Sequence, residues 1–207
     1  MRAGERFLCR GTMATLAGAV ATAGLLAFAG PASASVTFMT CDPGHFSGFG
    51  SETFNPPLSH TNSNTTPSTI NVSGAATTCV GKVTGGTISA TMTSRDPNTG
   101  QPGPANCSGF WSPPPPAGTV LAKGTFTATW TNGKNSSGSA RLKSNGLTSG
   151  PTVYLVLKVT SGYGFLAGHV TKIKSNLNQR NPDGDCVTRN ISRVDIDNPT
   201  PLTFVQN

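Results

Sequence analysis

The segment Val120–Trp130 alternates between two kinds of side chain, and this alternation limits the fold more than any other feature of the chain. Ala122, Phe126, Ala128 and Trp130 fall on one face, and Lys123, Thr125, Thr127 and Thr129 fall on the other. A period of two suits a strand with one buried and one wet face, whereas a helix would scatter the same residues around its axis. The pattern recurs at Gly86–Ser94, where Ile88, Ala90 and Met92 alternate with Thr87, Ser89, Thr91 and Thr93. In Val153–Val159 the apolar Val153, Leu155, Leu157 and Val159 alternate with Tyr154, Val156 and Lys158, which predicts a strand covered on both sides. His169–Ile173, Cys186–Ile196 and Leu202–Val205 supply further strand patterns. Helices have little to work with: beyond residue 34 the only glutamate is Glu52, while threonine and valine favour strands.

Turn signals separate these strands. Asn132-Gly133 follows Trp130 and opens a hairpin, because this dipeptide readily takes the positive φ angles of a tight turn. Asn145-Gly146, Ser161-Gly162 and Asp183-Gly184 punctuate the later strands. Two stretches resist a strand reading. Asn55–Ser68 is rich in Pro, Ser, Thr and Asn and predicts a long surface loop, and Ser112–Pro116 holds four consecutive prolines. Short strands with frequent turns and no helical period predict an all-β fold, an antiparallel β-sandwich or open barrel. The proline run could instead link an N-terminal unit (35–111) to a C-terminal unit (117–207). A single domain over 35–207, with a rigid loop at 112–116, is the simpler organisation.

The first 34 residues carry an address. Arg2, Arg6 and Arg10 precede an apolar run from Met13 to Gly30, and Ala32-Ser33-Ala34 presents the small-x-small pattern cut by signal peptidases. Cleavage after Ala34 leaves 173 residues starting at Ser35, a secreted chain with no later segment apolar enough to span a membrane. An uncleaved anchor is the rival reading; Cys9 lies before the apolar run, where lipid attachment does not occur. The mature chain keeps four cysteines, Cys41, Cys79, Cys107 and Cys186. An even count in an exported chain reads as two disulfides, and none of the spacings is the Cys-x2-Cys of zinc sites. Of three pairings, Cys41–Cys79 with Cys107–Cys186 gives the simplest sequential loops.

The residues provide little for catalysis. No Gly-x-Ser-x-Gly elbow occurs, and His45, His60 and His169 sit in loop or strand contexts that need no chemistry. The mature chain has seven acids, a thin supply for a glycosidase pair. Asp195 and Asp197 are two apart and so share one strand face, where they could hold a cation or meet lysines. Asn181, Asp183 and Asp185 place oxygens at alternate positions as calcium loops do, but Cys186 and Ser192 stand where an EF-hand needs glycine and glutamate. A turn explains the same residues, and the reading carries no cofactor and no metal. Five Asn-x-Ser/Thr triplets, beginning at Asn64, Asn71, Asn106, Asn135 and Asn190, arise readily in a chain this rich in Ser, Thr and Asn.

Charge is uneven. Residues 35–110 sum to −1, and residues 111–207 to +6. If several of those cations share one sheet face, they make a positive surface suited to acidic polymers; the plain alternative is a solubilising surface. Lys172-Ile173-Lys174 is the one compact cluster. Trp111, Tyr154, Lys172 and Lys174 are the candidate ligand contacts. The expected function is therefore a secreted, non-enzymatic protein binding an extracellular glycan, polyanion or protein partner, with nucleic acid disfavoured for want of exposed aromatics among the charges. Two other readings compete. One is an inhibitor or effector acting through the Cys107–Gly118 loop, pre-ordered by its prolines; the other is a hydrolase using His45 or an aspartate pair.

The segment Gly124-Thr-Phe-Thr-Ala-Thr-Trp-Thr-Asn-Gly, the later Val159-Thr-Ser-Gly-Tyr-Gly-Phe-Leu-Ala-Gly, and Cys186 with the strand after it resemble small exported β-sandwich proteins of high-GC Gram-positive bacteria. The resemblance covers the C-terminal half. It implies a β fold and an exported setting, and brings no catalytic residues with it.

Overall fold

The computed structural model describes residues 36–41, 50–76, 79–80, 84–110, 113–147, 152–162, 172–180, 186, 188–197 and 202–206. Residues 33–207 form one compact unit. Its strands are β1 (Val36–Cys41), β2 (Gly50–Leu58), β3 (Thr69–Ala76), β4 (Cys79–Val80), β5 (Gly86–Ser94), β6 (Val120–Trp130), β7 (Asn135–Ser144), β8 (Val153–Gly162), β9 (Lys172–Arg180), β10 (Ile191–Asp197) and β11 (Leu202–Gln206). The all-β, antiparallel expectation holds, and every strand-to-strand ladder is antiparallel. The one helical turn among the described residues, Cys107–Phe110, is broken by an extended Ser108 and by Gly109 at φ 82°.

The ladders choose between sandwich and barrel. Neighbouring strands follow the order β10-β2-β3-β5-β6-β7-β8-β9-β11-β1-β4, and β10 also pairs with β9. That extra pairing joins the two ends of the run from β2 to β9 into a ring of eight strands. Closure rests on three residue pairs, Asp195↔Arg180, Ile196↔Gln179 and Asp197↔Asn178. Nearer its start, β9 turns away from β10 and pairs Lys172 to Lys174 with Thr203 to Val205 of β11. The result is a barrel with a seam, from which β11, β1 and β4 branch. Within the ring, strands adjacent in sequence are adjacent in space, the up-and-down arrangement that needs only short connections. Strands before and after the proline run share this ring, since all of β5 pairs with β6.

Alternation explains the core. Val72, Ala90 and Phe126 stand in one register row, and all three are buried; Gly138 completes the row on β7. The next row, Phe54, Ile70, Met92, Gly124, Ala140 and Leu157, is buried at every side chain larger than hydrogen. Large and small residues thus face each other across strands, which is how an eight-stranded ring fills its interior. Gly124 and Gly138 are required by close approach: an added methyl group would meet the carbonyl oxygens of Thr91 and Lys158. Glu52, fully buried beside Phe54, sits in register with Val72 and Val194. Trp130 is 2% exposed and donates its indole N–H to Ser136 Oγ at 2.9 Å.

The turn at Asn132-Gly133 forms as expected, with Gly133 at φ 75° and its N–H on the Trp130 carbonyl at 2.8 Å. Gly146, at φ 69°, turns β7 into β8. Ser161-Gly162 is no turn and closes β8 instead. Asp183-Gly184 lies outside the described residues.

Four more expectations need correction. The Asn55–Ser68 stretch is not all loop: β2 runs on to Leu58 because Pro56 and Pro57, lacking an N–H, fall where β2 pairs with neither β3 nor β10. The remainder is fastened rather than loose. Asn64 Nδ2 donates to the carbonyls of Pro57 (2.6 Å) and Ala105 (2.8 Å), and Ser63 N–H donates to Ser59 Oγ at 3.0 Å. Strand β9 begins at Lys172 and reaches Arg180, later and longer than His169–Ile173. Strand β10 begins only at Ile191. Finally, β8 is covered on one side: Val153, Leu155 and Leu157 are buried, Tyr154 and Val156 are half-buried, and Lys158 is exposed.

The disulfides are Cys41–Cys79 and Cys107–Cys186. The first ties β1 to β4 at directly opposed positions. The second holds the Cys107–Phe110 turn, whose Phe110 ring meets Phe54 edge-on at 5.6 Å and so packs onto the barrel core.

Candidate functional site

Register decides what the scattered cations become. Across one row of the outer face stand Lys123 on β6, Arg141 on β7, Val156 on β8 and Lys174 on β9. One same-face step along, the row is Thr125, Ser139, Lys158 and Lys172. One step the other way, Lys143 stands opposite Tyr154, which stands opposite Asn176. Four adjacent strands therefore carry six cations within three rows. Lys123 lies directly opposite Arg141, and Lys158 directly opposite Lys172. Arg141 and Lys158 are exposed, and Lys123 and Lys143 half-buried.

No acid balances them. Between Asp96 and Asp183 the chain has no aspartate or glutamate, yet this stretch holds eight of its lysines and arginines. Among the described residues, Lys123, Arg141, Lys143 and Lys158 enter no ion pair; the pair Arg193–Asp195, at 3.1 Å, lies on β10. The Lys143 ammonium lies 5.9 Å from the centroid of the Tyr154 ring and covers it as a cation–π contact.

The structure thus gathers three of the four candidate contacts onto neighbouring strands: Tyr154 on β8, and Lys172 and Lys174 on β9. Trp111 lies outside the described residues. Lys123, Arg141, Lys143 and Lys158 are the additional members. The acid-free stretch is the sequence signal that points to them.

The other candidates separate from this face. His60 receives a separate role: its Nδ1 lies 2.8 Å from Asn190 Oδ1, which also accepts the His60 N–H, tying the β2–β3 loop to the approach of β10. Asn64, Asn106 and Asn190 all use their side chains in such loop contacts. His45, His169 and the oxygen-rich Asn181–Asp185 loop lie outside the described residues. Asp195 accepts from Arg193 on its own strand, so the expected cross-sheet lysine is replaced by a neighbour two residues away. Among the described residues no three His, Cys, Asp or Glu side chains gather as metal ligands would. In the Cys107–Gly118 loop Phe110 is buried and the Pro115 carbonyl accepts a hydrogen bond from Ser144 Oγ at 2.6 Å, while Ser108, Pro113, Pro116 and Ala117 are exposed.

Two further features have defined chemistry. A shallow groove of about 470 Å³ crosses the wall at β2, β3, β5 and β6, lined by Ser73, Thr87, Ser89, Thr127 and Thr129, with hydroxyls and no charge. In the β5–β6 connection, the Asp96 carboxylate accepts the N–H groups of Thr99 (3.0 Å) and Asn98 (2.7 Å), which hold its pKa below the usual aspartate value. A depressed carboxyl supports the turn fully above the ordinary aspartate pKa and loses that support as pH falls through the depressed value. In an NMR titration the amide signals of Asn98 and Thr99 are expected to move at a lower pH than the pKa of an unperturbed aspartate. Movement at the ordinary pH would show that these bonds do not form.

No known protein family matches the chain, and no curated protein or solved structure shows significant similarity to it.

Proposed function

We propose that this chain is exported and, without catalysing a reaction, binds an extracellular polyanion through the outer face of β6–β9. One observation carries the reading: like charges stand directly opposite each other, Lys123 against Arg141 and Lys158 against Lys172, on a wall that contains no acid. Directly opposed like charges weaken a sheet. Fold stability therefore gives no reason for them, and a surface serving only solubility intersperses both signs. A partner with many negative groups turns the same repulsion into binding energy, and its attraction extends over a Debye length of about 8–10 Å at moderate salt. Export is supported by the leader pattern at residues 1–34 and by two disulfides, which persist in oxidising compartments.

The test is titration of the mature protein with heparin and with neutral dextran at low and moderate salt. Heparin binding that weakens steeply with salt, with none to dextran, is expected. Arg141→Glu is expected to lower the heparin affinity about tenfold or more while the melting temperature stays or rises. Absence of heparin binding at low salt, or an Arg141→Glu protein that binds as well as the parent, would overturn the reading. Export has its own check, since the amino terminus of material recovered outside the cell should be Ser35. Recovery of the whole chain in membranes would refute it.

A further inference from the structure

Attraction to a polyanion requires only net charge, yet the register arranges these cations in a particular way. Neighbouring strands lie about 4.8 Å apart and same-face residues about 6.7 Å apart along a strand. Lys123 and Arg141 occupy β6 and β7 in one row, while Lys158 and Lys172 occupy β8 and β9 in the next. The midpoints of the two pairs are then roughly 12 Å apart on a diagonal across the wall. Between them lie Ser139 and the half-buried Val156, neither of them charged. Register sets the members of each pair one strand spacing apart, and the Arg141 guanidinium beside Lys123 adds a fork suited to phosphate oxygens.

Aromatic stacking has no place here. The Tyr154 ring is half-buried and its face is taken by Lys143. Polymers built from sugar rings or bases gain much of their affinity from open aromatic faces. A flexible chain of phosphates needs none, and its closely spaced charges let two groups engage while intervening ones pass over Ser139 and Val156.

Resting on the polyanion reading above, we infer that the wall binds a flexible, phosphate-bearing linear polymer lying obliquely across β6–β9. Two of its phosphates are held at once, one by Lys123 with Arg141 and one at Lys158 beside its register partner Lys172. Linking two weak contacts through one chain raises affinity sharply once the chain spans both, because the second contact becomes intramolecular.

Linear inorganic polyphosphate of graded length is the probe, with dextran sulfate and polyglutamate as comparators of equal charge. Tripolyphosphate is too short to reach both pairs, and a long chain reaches them easily. At equal phosphate concentration, affinity is expected to step up by about tenfold or more at the spanning length. Arg141→Gln and Lys158→Gln should each abolish that step while leaving tripolyphosphate binding within a few-fold, and the double variant should lose no more of the step than either single one. A smooth rise with length, unaffected in shape by either variant, would overturn the two-point arrangement and leave polyanion binding standing. Tighter binding of dextran sulfate or polyglutamate would overturn the phosphate assignment. Failure of every polyanion to bind at low salt would overturn both this inference and the function it rests on.

Discussion

Phe126→Ala is expected to remove about 3–5 kcal/mol of stability, the range for deleting a buried aromatic ring from a core that cannot collapse around the gap. Phe126 is 2% exposed and stands between Ala90 and Gly138 in its register row. Those two neighbours are small because the ring fills the space above them, so neither can move in when it is gone. Each kcal/mol shifts the melting temperature of a domain this size by about 2–4 °C, so a drop on the order of 10 °C should appear in thermal unfolding followed by circular dichroism. A loss below about 1 kcal/mol would mean that the ring does not fill the barrel. Thr127→Ala, one residue along and facing water, provides the contrast and should move stability by no more than about 0.5 kcal/mol.

Removing the Cys107–Cys186 bridge is the second large expected effect. Its partners are 79 residues apart, and by the chain-entropy relation a loop of that length is worth about 4.5 kcal/mol. Cys41–Cys79 encloses 38 residues, and the same relation makes it about 0.6 kcal/mol weaker. Packing adds to the difference, because Cys107 begins the turn that sets Phe110 on Phe54, whereas Cys41–Cys79 anchors β1 and β4 outside the ring. Calorimetry of the two double Cys→Ser proteins should therefore rank Cys107–Cys186 as the greater loss. The opposite ranking would place the main stability in the branch rather than in the ring.

Much of this fold can be read directly from the chain. The alternation at Lys123–Trp130 and Thr87–Ser94 assigns side chains to the two faces as the burial shows, because there one face is buried and the other carries no buried residue, whereas Leu121 at the start of β6 is buried against the pattern. Asn132-Gly133 identifies its hairpin for an equally local reason. What the chain conceals is non-local. Val153–Val159 looks doubly covered because Tyr154 and Val156 are apolar in composition, and only the position of β8 in the ring leaves their face partly open. Pro56 and Pro57 hide the end of β2, since nothing in sequence shows that a ladder can step over two prolines. Ring closure through β9 and β10 joins segments whose sequence proximity says nothing about sharing an edge. The binding face is intermediate. Lys172 and Lys174 stand out as a cluster, but the opposition of Lys123 to Arg141 exists only once β6 and β7 are in register.

The pairing of β1 with β11 brings Val36 against Gln206, with all the other strands between them in the chain. Contacts that distant form late and slow folding, because a long loop must close before they are rewarded. The other partner of β1, β4, lies much nearer in the chain and is joined to it by Cys41–Cys79. A near partner can therefore hold β1 while its long edge waits for β11, which makes this edge the slow step in completing the sheet.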